Sequence, residues 1–65
     1  MPQDEWEIEP TGRGTFDVRR NRRPIRFDRE TLLDAVEEAR RAGAREITVV
    51  DPDGYRHRER IEDIH

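Results

Sequence analysis

Acidic and apolar residues alternate near the start of the chain, with the period of two that is typical of a half-buried β-strand. This alternation covers residues 4–9, and residues 15–19 repeat it. Residues 24–27 predict a third strand, with Ile25 and Phe27 on one face as core candidates. Because the proline that begins this strand cannot donate a backbone hydrogen bond, we expect the strand either to lie at a sheet edge or to start late.

Turn and capping residues divide the first half of the chain. Residues 10–14 contain two glycines and predict a turn, and residues 21–22 predict a tight turn. Apolar residues then recur at helical spacing, which predicts a helix over residues 29–42. Asp28 is the expected N-cap of this helix, and Gly43 is the expected stop.

The C-terminal third has the pattern of a β-hairpin. Residues 45–50 are β-branched and predict a strand, and residues 55–60 predict the returning strand. Between them, the Asp-Pro-Asp-Gly sequence at residues 51–54 matches a type I turn. Ile61 and Ile64 lie three residues apart, which predicts one final helical turn over the core.

These elements predict a single α+β domain over residues 1–65, in the order β-β-(β)-α-β-β. A largely antiparallel sheet of four or five strands would carry one helix packed on one face. Trp6 is expected to anchor the core over Leu32 and Val36; the alternative is an exposed interface residue. Strand parity predicts that the uncovered sheet face carries Glu5, Glu7, Asp17, Arg19, Arg26, Arg56, Arg58 and Arg60.

Composition limits what such a domain can do. The chain has 65 residues, of which 31 % are hydrophobic and 45 % are charged. A core this thin predicts no cofactor pocket, and pairing with a second copy would be one way to enlarge the core. The chain has no cysteine, serine or lysine, so thiol, serine and Schiff-base nucleophiles are excluded. No apolar run is long enough to predict a membrane span, so we expect a soluble cytoplasmic protein.

The titratable residues do not form a recognisable catalytic or metal motif. Asp51, Asp53 and Glu62 have part of the spacing of a calcium loop, but Arg56 occupies the position that requires glycine. His57 has too few neighbouring ligands for a catalytic zinc. We therefore predict no enzyme activity, no metal site and no cofactor.

All thirteen basic residues are arginines, and five of them lie within residues 19–26, although the net charge is −3. Arginine presents a planar fork that suits carboxylates, phosphates and base edges. One hypothesis is therefore contact with nucleic acid through an exposed ribbon of arginines. The alternative is pairing with Glu5, Glu7 and Glu9 of the first strand, which would neutralise much of the positive charge.

Several short motifs resemble a small bacterial family of unknown function. They are Gly-Thr-Phe-Asp-Val-Arg at 14–19, Phe-Asp at 27–28, Gly-Ala-Arg-Glu-Ile-Thr-Val at 43–49 and Asp-Gly at 53–54. The chain departs from that family at Phe16, where the family carries tryptophan, and at Glu30-Thr31, where the helix entry is shifted. Residues 14–40 also resemble the arm-binding domain of phage-type integrases, which lays its sheet on DNA. The first resemblance implies a fold and no activity; the second implies DNA binding.

The favoured hypothesis is a small non-enzymatic domain that docks a protein partner, or a second copy of itself, through its arginine-bearing sheet face. One alternative is a nucleic-acid-binding module that uses the arginines of residues 19–26. Another is a structural or engineered scaffold without a ligand, because capping, turns and patterning all agree, as they do in designed sequences. The predicted partner-binding residues are Arg19, Arg22, Arg23, Arg26, Arg56 and Arg58.

Overall fold

Five strands and one α-helix make up most of the chain in a computed structural model that describes residues 3–64. The strands are β1 (Trp6–Pro10), β2 (Phe16–Arg20), β3 (Arg23–Arg29), β4 (Glu46–Val50) and β5 (Arg56–Arg60). The helix α1 spans Leu32–Arg41, and a 3-10 turn spans Ile61–Asp63. The predicted α+β class, the element order and the final helical turn are therefore confirmed.

The strands form one sheet in the order β3-β2-β1-β4-β5. Three neighbouring pairs are antiparallel, and the central pair, β1 with β4, is parallel. Parallel neighbours require a long connection, which is supplied here by β2, β3 and α1. The sheet is thus mixed but mostly antiparallel, with β3 at one edge, as predicted, and β5 at the other.

Two of the three hairpin turns, β2–β3 and β4–β5, follow from local backbone chemistry. Asn21 and Arg22 form the two-residue β2–β3 loop with φ of 52° and 70°, the left-handed values that a type I′ turn requires. In the β4–β5 loop, the Gly54 N–H donates to the carbonyl of Asp51 at 2.8 Å. The Asp51 N–H in turn donates to the carbonyl of Tyr55 at 2.8 Å. The turns predicted at residues 21–22 and 51–54 are confirmed.

The helix begins three residues later than the sequence predicts. The hydroxyl of Thr31 accepts a 3.0 Å hydrogen bond from the Asp34 N–H, so Thr31 is the N-cap. Asp28, the expected cap, lies within β3 with φ of 53°. The assignment of Asp28 was wrong because β3 continues to Arg29 instead of ending where the apolar alternation ends.

The end of the helix agrees with the sequence pattern. Gly43 follows the last turn with φ of 107°, and its N–H donates to the carbonyl of Arg40 at 3.0 Å. A glycine in this conformation closes a helix without the strain that a side chain would add. Within residues 3–64, no helix combines the length and the apolar character that crossing a bilayer requires.

The core lies between α1 and one face of the sheet. Trp6 is only 7 % exposed, which confirms its predicted place in the core. Ile8, Val18 and Ile47 are the largest fully buried side chains. The remaining buried residues are Ala35, Val36, Ala39, Ala44 and Ile61. The small alanine side chains allow the helix to approach the sheet closely.

The register between β2 and β3 is irregular, and this changes which side chains face the helix. Shifts occur on both sides of Val18, which pairs with Arg26. A bulge of this kind sets two residues of one strand against one of the other, here Ile25 and Arg26 against Val18. Ile25 packs against the core, and the Nε of Arg26 lies 3.0 Å from the carboxylate of Glu38 on α1. Strand parity therefore placed Arg26 on the wrong face, and Phe27 is 58 % exposed instead of buried.

Candidate functional site

The sheet surface that faces away from α1 is covered by no other described element, and we call it the open face. Ile8, Val18 and Ile47 point toward the helix, so their neighbours along each strand point away from it. Cross-strand register aligns these residues across β1, β2, β4 and β5. The open face consists of Glu7, Glu9, Asp17, Arg19, Glu46, Thr48, Val50, Arg56, Arg58 and Arg60.

Three arginines of the open face lie beside carboxylates of other strands, two of them on the adjacent strand and Arg56 across β4. The pairs are Arg19 Nε with Glu9 Oε2 at 3.4 Å, Arg56 Nη2 with Glu7 Oε1 at 3.0 Å, and Arg58 Nε with Glu46 Oε2 at 3.4 Å. The expectation that acids of β1 pair with the neighbouring arginines is confirmed for Glu9 and Arg19. The open face therefore carries alternating charge, held in fixed geometry by the sheet.

The two partners of these pairs differ in their access to solvent. Glu7 retains only 12 % of its side-chain exposure, whereas Arg56 retains 57 % and Arg58 retains 79 %. The Nε of Arg19 lies near Glu9 but is shielded from water without a hydrogen-bond partner among residues 3–64. The guanidinium groups of Arg56 and Arg58 thus remain accessible on the open face, and of the three carboxylates Glu7 is the most shielded.

The six predicted partner-binding residues do not form one cluster. Arg19, Arg56 and Arg58 lie on the open face, whereas Arg26 lies on the helix side. Arg22 and Arg23 lie at the β2–β3 turn, toward the sheet edge opposite to β5. Among the pairs formed by residues 3–64, neither Arg22 nor Arg23 has a carboxylate partner. The linear arginine block is therefore distributed over two faces and a turn.

The β2–β3 turn is tied to the segment that precedes β1, a relationship that the sequence pattern did not reveal. The Glu5 N–H donates to Asn21 Oδ1 at 2.8 Å, and the Asn21 N–H donates to the Glu5 carbonyl at 2.7 Å. Side-chain hydrogen bonds from Asn21 and Arg20 lower the pKa of Asp4. The guanidinium of Arg20 also lies 5.2 Å from the centre of the Trp6 ring. The available sequence signal for this turn was Asn21, because asparagine favours left-handed turns.

A second polar cluster surrounds Asp28 at the other end of β3. Its Oδ1 accepts a 2.7 Å hydrogen bond from Arg13 and a 3.1 Å bond from the hydroxyl of Thr15. These two hydrogen bonds lower the pKa of Asp28, and the bond from Arg13 has the larger effect. The Asp28 N–H donates to Asp17 Oδ1 at 2.9 Å. The cluster joins the β1–β2 turn to the end of β3, so its role is accounted for by the fold.

The remaining candidate chemistry has a structural explanation. His57 Nε2 lies 2.6 Å from Oδ2 of Asp51, which closes the β4–β5 turn. Within the described part of the chain, no three side chains of His, Cys, Asp or Glu converge as metal ligands would.

Comparison of the chain with protein-family models, curated proteins and solved structures gave no match. The resemblances to a bacterial family of unknown function and to integrase arm-binding domains therefore stay predictions.

Proposed function

We propose that the chain is a non-enzymatic interaction domain that docks a protein partner through the open face. The observation that carries this proposal is the set of ion pairs that hold Arg19, Arg56 and Arg58 in place across the sheet. Arginine is enriched in protein interfaces, and a preformed side-chain position lowers the entropy lost on binding. The open face thus offers a docking surface whose charged groups are already ordered.

The charge balance of the open face favours a protein over nucleic acid. The carboxylates of Glu7, Glu9 and Glu46 lie beside the arginines and cancel much of their positive potential. Phosphate binding depends on uncompensated positive charge that displaces counterions. A protein surface can offer both signs of charge in a matching pattern, which gives specificity.

Apolar atoms on the open face add to this support. Thr48 and Val50 of β4 lie between the charged rows of β1 and β5, and both are partly exposed. Arg26 lies on the helix side, so the next residue, the exposed Phe27, lies on the side of the open face, at the β3 edge. Aromatic and aliphatic contacts surrounded by a polar rim are typical of protein interfaces.

A capture experiment tests the proposal and separates it from the alternatives. The wild-type chain is coupled to beads and exposed to cell lysate, with and without nuclease. The variant Arg56→Glu/Arg58→Glu alters the open face, and Arg26→Glu/Arg41→Glu makes the same charge change on the helix side; circular dichroism first establishes that both variants are folded, because Arg56 also pairs with Glu7. We expect proteins that resist nuclease, bind the wild type and the helix-side variant, and are lost from the open-face variant. Equal retention by both variants would refute docking through the open face.

A second candidate function rests on the β2–β3 turn. Arg22 and Arg23 have no carboxylate partner among the described ion pairs, and both are exposed at the tight turn of a hairpin. Such a tip can contact phosphates of nucleic acid. This function predicts binding to duplex DNA or RNA that weakens steeply with salt and is lost in Arg22→Gln/Arg23→Gln. The absence of any gel shift at low salt would eliminate it.

A further inference from the structure

The two edges of the sheet differ in how well they are protected against pairing with another strand. The β3 edge contains Pro24, two register shifts and the left-handed residue Asp28, all of which hinder a further strand. The β5 edge pairs with β4 without any shift from Arg56 to Arg60. All five residues of β5 are exposed. Only β5 therefore offers a regular, open edge.

The backbone groups that point outward from β5 can be assigned from the hydrogen bonds at its two ends. The Asp51 N–H donates to the Tyr55 carbonyl at 2.8 Å, and the Ile61 N–H donates to the Arg45 carbonyl at 2.9 Å. In an antiparallel pair, residues alternate between those bonded to the neighbour and those directed away from it. The residues of β5 with outward backbone groups are therefore Arg56, Arg58 and Arg60.

The same three residues carry the arginine side chains of the open face. A strand added at this edge would bond to their backbone groups and place its own side chains directly opposite theirs. Arg58 is 79 % exposed, and among residues 3–64 it has a single carboxylate neighbour, Glu46. Its five N–H donors leave capacity for a second carboxylate.

We propose that β5 accepts an extended acidic segment of a protein partner as a sixth strand of the sheet. Acidic residues at every second position of that segment would face Arg56, Arg58 and Arg60. Addition of a strand to an exposed edge is an established mode of peptide recognition, in which backbone bonds give affinity and side chains give specificity. The helix does not obstruct this edge, because α1 packs over β1, β2 and β3.

A second copy of the chain is a poor occupant of this edge. Two-fold antiparallel pairing of β5 with itself sets open-face residues of one copy opposite open-face residues of the other. Every such register brings arginine against arginine, and like charges directly opposite each other destabilise a sheet. The arginines thus reject self-association and select an acidic strand.

This inference rests on the proposed function, because it assumes that the partner is a protein. Titration with a peptide, followed by NMR, tests strand addition at β5 separately from docking on the open face. The probe is a short peptide in which Glu and Thr alternate. One control peptide has Lys in place of Glu, and another has the same composition with all Glu residues contiguous. We expect only the alternating acidic peptide to bind, with new protection from hydrogen exchange at the outward amides of Arg56, Arg58 and Arg60. Amides of His57 and Glu59, which already bond to β4, serve as the internal reference.

Two variants at one position separate the backbone contribution from the charge contribution. Arg58→Gln removes the charge and keeps the outward N–H, whereas Arg58→Pro removes both without breaking a bond to β4. We expect Arg58→Gln to weaken peptide binding by about threefold and Arg58→Pro to weaken it by a further factor of about ten. Circular dichroism checks that each variant is folded. If Arg58→Pro does not fold, the hydrogen-exchange measurement on the wild type decides whether the peptide adds to β5.

Distinct results would overturn the inference and the proposed function. Equal binding by Arg58→Pro and Arg58→Gln, equal binding of the contiguous peptide, or unchanged exchange at the outward amides would refute strand addition at β5. Dimers that form through β5 in sedimentation would refute it as well. A captured partner that is lost from Arg56→Glu/Arg58→Glu but kept by Arg58→Pro would refute the edge and retain the open face. A partner kept by all variants would refute both.

Discussion

The guanidinium of Arg56 lies 3.0 Å from the carboxylate of Glu7, although β4 separates their two strands. The arginine side chain therefore crosses the open face above β4 and covers the glutamate, which is only 12 % exposed. A carboxylate with this little solvent contact depends on its partner more than an exposed one does. The pair joins the central strand to the edge hairpin, so it has a structural role and also fixes one of the arginines that we assign to docking.

Removing Arg56 should therefore destabilise the fold. We expect Arg56→Gln to lower the free energy of unfolding by about 1–2 kcal/mol, because the shielded Glu7 loses its counter-charge while Arg56 itself is half exposed. Urea denaturation measures the change. The double variant Arg56→Gln/Glu7→Gln should recover most of the loss, since neither charge is then left alone. Additive effects in this cycle would contradict an interaction between the two side chains.

The helix N-cap gives a second prediction, one that separates the observed cap from the expected one. Thr31→Ala should cost about 1 kcal/mol of stability, because the Asp34 N–H loses its acceptor. Thr31→Ser keeps the hydroxyl and should cost much less. Thermal unfolding followed by circular dichroism measures both. An unchanged midpoint in Thr31→Ala would show that the cap lies elsewhere.

Sequence reasoning succeeded where the local pattern alone determines the structure. The strands follow from alternation, the helix from spacing, and the β4–β5 turn from its Asp-Pro-Asp-Gly sequence. The I′ turn at residues 21–22 and the stop at Gly43 were also predictable, because few residues tolerate left-handed backbone. Burial of Trp6 followed from the parity of β1.

The errors arose from the irregular register of β3. A bulge changes the side to which every later residue of a strand points, and parity reasoning assumes that no bulge occurs. Arg26 was therefore assigned to the open face, and Phe27 to the core. The helix was predicted to start too early for the same reason, since Asp28 belongs to the end of β3. The distance of Arg22 and Arg23 from Arg56 and Arg58 could not be predicted either, because strand order is a tertiary property.

Acid sensitivity follows from two carboxylates at the ends of the first hairpins. Asn21 and Arg20 lower the pKa of Asp4, and Arg13 lowers the pKa of Asp28. A carboxyl group with a lowered folded-state pKa contributes stability above its unfolded pKa and loses it as the pH falls through the folded value. We expect stability to be constant near neutral pH and to decline below about pH 4.

The comparison of wild type with Asp28→Asn tests this dependence. Asp28→Asn should be less stable than the wild type at neutral pH and should show a smaller decline on acidification, because one titrating group is gone. Urea denaturation at neutral and acidic pH measures both effects. Because these carboxylates are exposed, added salt should reduce the difference. A parallel decline in both proteins would show that Asp28 does not contribute to the acid sensitivity.

Arg22 occupies a position at which its own side chain costs stability. Its φ of 70° lies in the left-handed region, and glycine is favoured at the second position of a type I′ turn. We expect Arg22→Gly to raise the free energy of unfolding by about 0.5–1 kcal/mol, measured by urea denaturation, because the left-handed strain is relieved. The neighbouring Asn21→Gly should instead destabilise, since it removes the hydrogen bonds to Asp4 and Glu5. If Arg22→Gly is more stable and also loses nucleic-acid binding, the arginine is retained for that contact at the expense of the turn. If the variant is less stable, the Arg22 side chain itself supports the hairpin, and the strain argument is wrong.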